Sequence, residues 1–215
     1  QTCALPIFAE NRREAEAVAK LFPKDENYTA VYDRFGLLGE HSLFGHCIHL
    51  ADEERARLSE SGSVAVFCPT SNLFIGSGLF DGVLARHERF PLRTALATDV
   101  GGGTSYSMLQ TAAEAYKVLQ LQGDNLGPLQ AFYEITLGNA RALDFDRLIG
   151  ALETGREADL VVLDSRATAA MAHRMETVEG DLAEELFVLM TLGDDRAVAA
   201  TYVAGEALHR TARTS

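Results

Sequence analysis

The sequence predicts an α/β protein built on parallel strands, and three observations carry that expectation. Short apolar runs recur at Ser42 to His49, Val64 to Cys68 and Leu92 to Ala97. Helix-like segments lie between them, as they must where consecutive parallel strands are joined by crossovers. Each run also leads into a polar or reactive side chain, and in parallel α/β arrays binding sites gather beyond the carboxyl ends of the strands.

The elements follow in order. Ala9 to Leu21 combines strong helix formers with apolar residues at Ala15, Val18, Ala19 and Leu21, which predicts a helix ending before Pro23. Asn27 to Asp33 is expected as a loop and Phe35 to Leu38 as a short apolar segment. Ser42 to His49 is a strand, and Ala51 to Gly62 a helix with acids in its first turn and a glycine at its exit. Val64 to Cys68 is a buried strand stopped by Pro69. The turn Thr70-Ser71-Asn72, a glycine-bearing loop and a helical stretch at Asp81 to Phe90 follow it. Leu92 to Ala97 is the third strand, leading to Asp99 and three consecutive glycines, and Ser107 to Gln122 is a longer helix. Past Pro128 one more helix is expected at Leu129 to Leu143, then turns and strands at Ile149 to Asp164. Phe187 to Met190 and Ala197 to Leu208 are further β-prone runs. A boundary near residue 148 divides an α/β part, residues 1–148, from a β-rich satellite, residues 149–215. Strands this few and short rarely stand alone.

Composition narrows the function classes. With 215 residues, 47% of them hydrophobic and 23% charged, the chain has the apolar mass for one substantial core or a core with a small satellite. A formal net charge of -12 speaks against nucleic acid or an anionic membrane surface as partner, and favours a small neutral or cationic ligand. No apolar run reaches the roughly 18 residues of a membrane span. Cys3, Cys47 and Cys68 lack C-x-x-C spacing and suit a reducing cytosol. Gln1 to Glu10 carries neither a basic stretch nor a cleavage site, so the sequence reads as a fragment or a processed chain.

His46, the Cys68-Pro-Thr-Ser-Asn72 turn and Asp99 fall at the ends of three successive strands and are expected to converge on one rim. Each also has a plainer reading. His46 fits a satisfied core histidine, Asp99 the cap of the following turn, and Glu10 a solvated charge on a polar helix face. Cys68 reads as a small buried hydrophobe rather than a ligand, and His49 as structural.

Four blocks then resemble the amidohydrolase superfamily in order and spacing: Ala9-Glu10-Asn11, Gly45 to Leu50, Cys68 to Leu73, and Ala97-Thr-Asp99-Val-Gly-Gly-Gly103-Thr-Ser-Tyr-Ser-Met108. The last block is most similar to the branch that hydrolytically deaminates guanine to xanthine and ammonia. Ile149 to Asp164 resembles the return from barrel to small β-sandwich in that superfamily. The resemblance implies the C-terminal half of a TIM-type (β/α)8 barrel plus part of a satellite, a Zn2+ cofactor, a purine substrate, a homodimeric parent protein and a cytoplasmic setting. It assigns Asp99 as the eighth-strand zinc ligand and His46 as the sixth-strand histidine beside the metal. Glu10 is assigned as the proton shuttle to ring and leaving amine.

The match departs at the fifth strand. Where the superfamily branch reads approximately Gln-Thr-His-Leu-Ala-Glu-Asn, the ligand histidine falls on Ile7 counted back from Glu10, or on Cys3 counted forward from Gln1-Thr2. The first-strand H-x-H pair has no counterpart among the 215 residues. The expectation is therefore an inactive N-truncated chain that binds zinc weakly. Another amino-heterocycle deaminase or chlorohydrolase of the superfamily, and a non-catalytic barrel remnant, stay open as alternatives.

Overall fold

Four short strands, each cut off by a polar or glycine-rich segment, form the first sheet. In the computed structural model, which describes residues 5–178 and 180–211, β1 is Ile7–Phe8, β2 Leu43–His46, β3 Val64–Phe67 and β4 Arg93–Leu96. They pair in the order β1-β2-β3-β4, all parallel, with Ile7 opposite Gly45, Gly45 opposite Val66 and Val66 opposite Ala95. Strict alternation along a strand then sends Phe8, Phe44 and Phe67 to one face.

That face is aromatic, and helices cover it. Between β1 and β2 lie α1, Arg12–Leu21, and α2, Tyr28–Arg34; α3, Asp52–Ser61, joins β2 to β3. Phe8 meets Tyr28, Phe44 and Tyr32 at ring-centroid distances of 4.6, 4.8 and 5.4 Å. Phe67 stacks on Phe80 at 4.7 Å. Such pairs add about 0.5–1.5 kcal/mol each beyond the area they bury. Buried Glu54 of α3 accepts hydrogen bonds from the Thr29 backbone N–H and hydroxyl of α2, at 3.1 and 3.2 Å, and from Ala51 N at 3.0 Å. One carboxylate thus caps its own helix and ties it to its neighbour.

Between β3 and β4 the chain forms α4, Pro69–Phe74, and α5, Gly82–Ala85; α6 is Met108–Leu121. The segment around α5 is much shorter than the helix expected at Asp81 to Phe90. The expected loop at Asn27 to Asp33 is instead α2: Asn27 caps it by accepting from Ala30 N at 2.9 Å, and the Tyr28 and Tyr32 rings share a face against Phe8. The α1 helix starts at Arg12, because Ile7–Phe8 is taken by β1 and Asn11 forms a capping box with Glu14.

By proximity the chain forms two compact units. One takes residues up to Tyr106 together with Lys117–Asn125, and the other takes Ser107–Tyr116 and residues from Leu126 onward. In the second unit α7, Pro128–Tyr133, runs through a π-helical turn at Glu134–Gly138 into α8, Asn139–Ala142. Strands β5, Leu160–Leu163, β6, Val198–Val203, and β7, Glu206–Arg210, pair antiparallel in that order. Helices α9, Ala169–Met175, and α10, Leu182–Leu192, separate β5 from β6. The β-prone reading of Phe187 to Met190 is thereby corrected. Asp181 caps α10, and Val188, Leu189 and Met190 are buried, so a core-buried helix presents the same continuous apolar run as a strand. Met171, Met175, Val188, Leu189 and Ala197 form that unit's core.

Leu58, on the inner face of α3, has no exposed surface. Leu58→Ala is expected to lower stability by about 3 kcal/mol, read as a fall in the urea midpoint with little change in slope.

Candidate metal and proton-transfer site

Because β1 to β4 run parallel and in register, their carboxyl ends share one edge. Glu10 follows β1 by two residues, His46 is the last residue of β2, Cys68 follows β3 directly, and Asp99 lies three residues past β4. The backbone turns sharply where the strands exit. Ala9, His46, Cys47 and Asp99 have φ of 49°, 74°, 51° and 46°, left-handed values that cost non-glycine residues about 1–2 kcal/mol each. Hydrogen bonds hold the first of these turns: Ile48 N and His49 N both donate to Ala9 O, at 3.1 and 2.9 Å.

Glu10 is only 5% exposed, so the solvated reading of this residue does not hold. Its backbone N–H donates to Glu14 Oε2 at 2.8 Å, and its own Oε1 accepts from Ser77 Oγ at 2.7 Å. The same carboxylate lies 3.7 Å from His46 Nδ1. His46 is buried, with Nδ1 2.8 Å from Asn72 Oδ1 and Nε2 3.9 Å from Asp99 Oδ2. An amide oxygen only accepts, so Nδ1 carries the hydrogen of this bond and Nε2 is the ring nitrogen that faces Asp99. His49, by contrast, bonds the Ser77 carbonyl at 3.1 Å and stays structural.

Sequence reasoning set Cys68 aside, yet His46, Cys68 and Asp99 each offer a ligand atom, and these atoms lie within 4.8 Å of one another. Burial, reinforced by the Asp99 and Glu10 carboxylates, pushes the Cys68 thiol up to about 12, and burial likewise raises Cys47. Thr70 Oγ1, Ser71 Oγ and Asn72 Nδ2 are buried without a hydrogen-bond partner, so a polar cradle sits beside the cluster.

The glycines after Asp99 answer to the chain itself. A Cβ on Gly102 would stand 2.6 Å from Ser71 Oγ and 3.0 Å from Asp99 Oδ2, and one on Gly103 would collide with the Thr98 carbonyl oxygen. Gly103 N donates to the Asp99 backbone carbonyl at 2.5 Å, closing a tight turn after β4. Of the remaining sequence candidates, Ile7 occupies β1 with 61% of its surface exposed, and Cys3 lies outside the described residues.

An imidazole with a free Nε2 lone pair and a carboxylate on converging strands are donors that suit a zinc ion. Residues 5–208 match the Amidohydrolase family, and the chain belongs to that family. It is 46% identical over 200 residues to guanine deaminase of Escherichia coli (strain K12), covering 93% of this chain and 45% of that protein. The crystal structure of guanine deaminase from Bradyrhizobium japonicum superposes with a TM-score of 0.92 at 33% identity, over 97% of this chain and 51% of the other. Guanine deaminase from C. acetobutylicum with bound guanine in the active site superposes at 0.83 and 28% identity, over 96% and 48%. The chain therefore spans about half the length of the relatives it matches.

Two outcomes are expected. Asn72→Ala removes the acceptor that selects the Nδ1–H form of His46, so nitrogen-detected NMR of the ring should pass from one tautomer to a mixture. For the thiol, a folded value of about 12 against an ordinary 9.0 favours the neutral form. The stability this contributes is complete below pH 9.0 and is lost as pH rises toward about 12. Alkylation of Cys68 in the folded chain should stay slow through pH 9.0 and accelerate only above it, while the urea-unfolded chain reacts readily.

Proposed function

We propose that this chain is the C-terminal portion of a zinc-dependent guanine deaminase that converts guanine to xanthine and ammonia. The observation that carries the reading is the convergence of Glu10, His46 and Asp99 on one strand edge, in a chain whose similar solved structures include a guanine deaminase with guanine in its active site. In this reading residues 1–148 form the second half of a (β/α)8 barrel and residues 149–215 part of its β-rich satellite. The four parallel strands in sequential order, with β1 and β4 as edges, support the first part.

Asp99 and His46 would hold the metal from this chain. Zinc bound there supplies a water whose pKa falls to about 7, and with it hydroxide at neutral pH. The residues do the rest. With Nδ1 engaged by Asn72, His46 would offer Nε2 to the metal and through it position the attacking oxygen. Asp99 accepts the proton released there. Glu10, steadied by the Ser77 hydroxyl, carries a proton to the purine ring and to the leaving amine, which departs as ammonia rather than as an amide ion. The acidic chain favours a small purine over nucleic acid, and no helix among the described residues is long and apolar enough to cross a membrane. We assign the parent enzyme to the cytoplasm, where Cys47 and Cys68 stay reduced, and expect it to be a homodimer.

The isolated chain is expected to be inactive, because the fifth-strand histidine falls on Ile7 or Cys3, neither of them histidine, and no H-x-H spacing occurs in the sequence. Ammonia release should be absent from the chain alone. It should appear once a segment supplying H-x-H is joined ahead of it and Ile7 is replaced by histidine. In that repaired enzyme Glu10→Gln should lower kcat by roughly 10²–10⁴-fold. Turnover of a triazine or an adenosine-type amine in place of guanine would overturn the substrate assignment.

A further inference from the structure

Counted back from Glu10, the fifth-strand position that would donate a histidine carries Ile7, whose side chain offers no lone pair, so a metal on this strand edge needs another donor. Cys68 is the one that lies at hand. Its strand β3 stands between β2, which carries His46, and β4, which leads to Asp99. Its Sγ, His46 Nε2 or Nδ1, and an Asp99 carboxylate oxygen lie within 4.8 Å of one another. His46 Nδ1 is engaged by Asn72, which leaves Nε2 for the metal. Ligands of a tetrahedral zinc stand about 3.5 Å apart, so the three groups need to close by only about 1 Å.

We propose that Cys68 is a metal ligand in this chain, completing a His46–Cys68–Asp99 site for zinc or a similar borderline-soft divalent cation. The proposal rests on the reading that this strand edge takes zinc, and adds a sulfur donor to it. A thiolate, an imidazole and a carboxylate make three protein ligands with a fourth position left for water, the pattern of an open rather than a closed zinc site. The thiol's own hydrogen bond is a long one, 3.6 Å, to the Val66 carbonyl. Coordination releases the Sγ proton to solvent and leaves the thiolate neutralised by the metal. Asp99 is the more exposed member, with 39% of its side chain accessible, and provides the side from which an ion enters.

Cobalt(II) titration of the full chain under reducing conditions tests this, because a cobalt–thiolate bond absorbs in the near ultraviolet and nitrogen and oxygen ligands do not. The double variant Cys3→Ser/Cys47→Ser leaves Cys68 as the sole thiol and should retain the band, which zinc should then bleach. Cys68→Ser should lose the band and weaken cobalt binding by at least the roughly tenfold that loss of a ligand's hydrogen-bond partner costs. Circular dichroism establishes that the variants are folded. Cobalt binding without a sulfur band in the double variant overturns the assignment of Cys68 while leaving the zinc reading of His46 and Asp99 intact. Failure of the folded wild-type chain to bind cobalt overturns both.

Discussion

The buried contact between His46 Nδ1 and Asn72 Oδ1 ties the end of β2 to helix α4 and governs what the imidazole can do. An amide oxygen accepts and never donates, so Nδ1 carries the hydrogen and Nε2 is the nitrogen turned toward Asp99. Without that acceptor, the Glu10 carboxylate 3.7 Å away would compete for the same ring nitrogen. The separation of duties follows from this one hydrogen bond. Glu10 is left to Ser77 and to proton transfer, and His46 turns toward Asp99.

Around that contact the fold acts as a jig. Parallel register brings the strand ends level, aromatic packing of Phe8, Phe44 and Tyr32 holds β1 and β2 to their helices, and Glu54 fastens α2 to α3. Three buried polar atoms on Thr70, Ser71 and Asn72 remain unpartnered beside the site. Unsatisfied groups of this kind cost about 1–3 kcal/mol each, and they persist where a ligand or water is accommodated.

Much of this was legible from the residues. Short apolar runs with abrupt polar ends located β2, β3 and β4, and the same ends located His46 and Asp99. Where reading failed, the cause was tertiary. Tyr28 to Arg34 has few helix-favouring residues and becomes a helix because Asn27 caps it and its tyrosines pack on Phe8. Phe187 to Met190 has no amphipathic stripe because it is buried in a core, so its helical state leaves no periodic trace. Two-residue β1 is too short for any pattern. The environment of Cys68 depends on residues 22 and 31 positions away, His46 and Asp99, and no local spacing reveals it.

The left-handed backbone at the strand exits bears on which side chains the site can ever hold. Among residues with a Cβ, only asparagine, aspartate and histidine enter that conformation with much ease, and His46 and Asp99 are two of those three. The types that tolerate the bend overlap with the types that bind metal ions or move protons. Conformational tolerance at these two turns therefore acts as a filter on chemistry. Drift toward leucine, valine or glutamate at either turn meets a backbone penalty as well as any catalytic one.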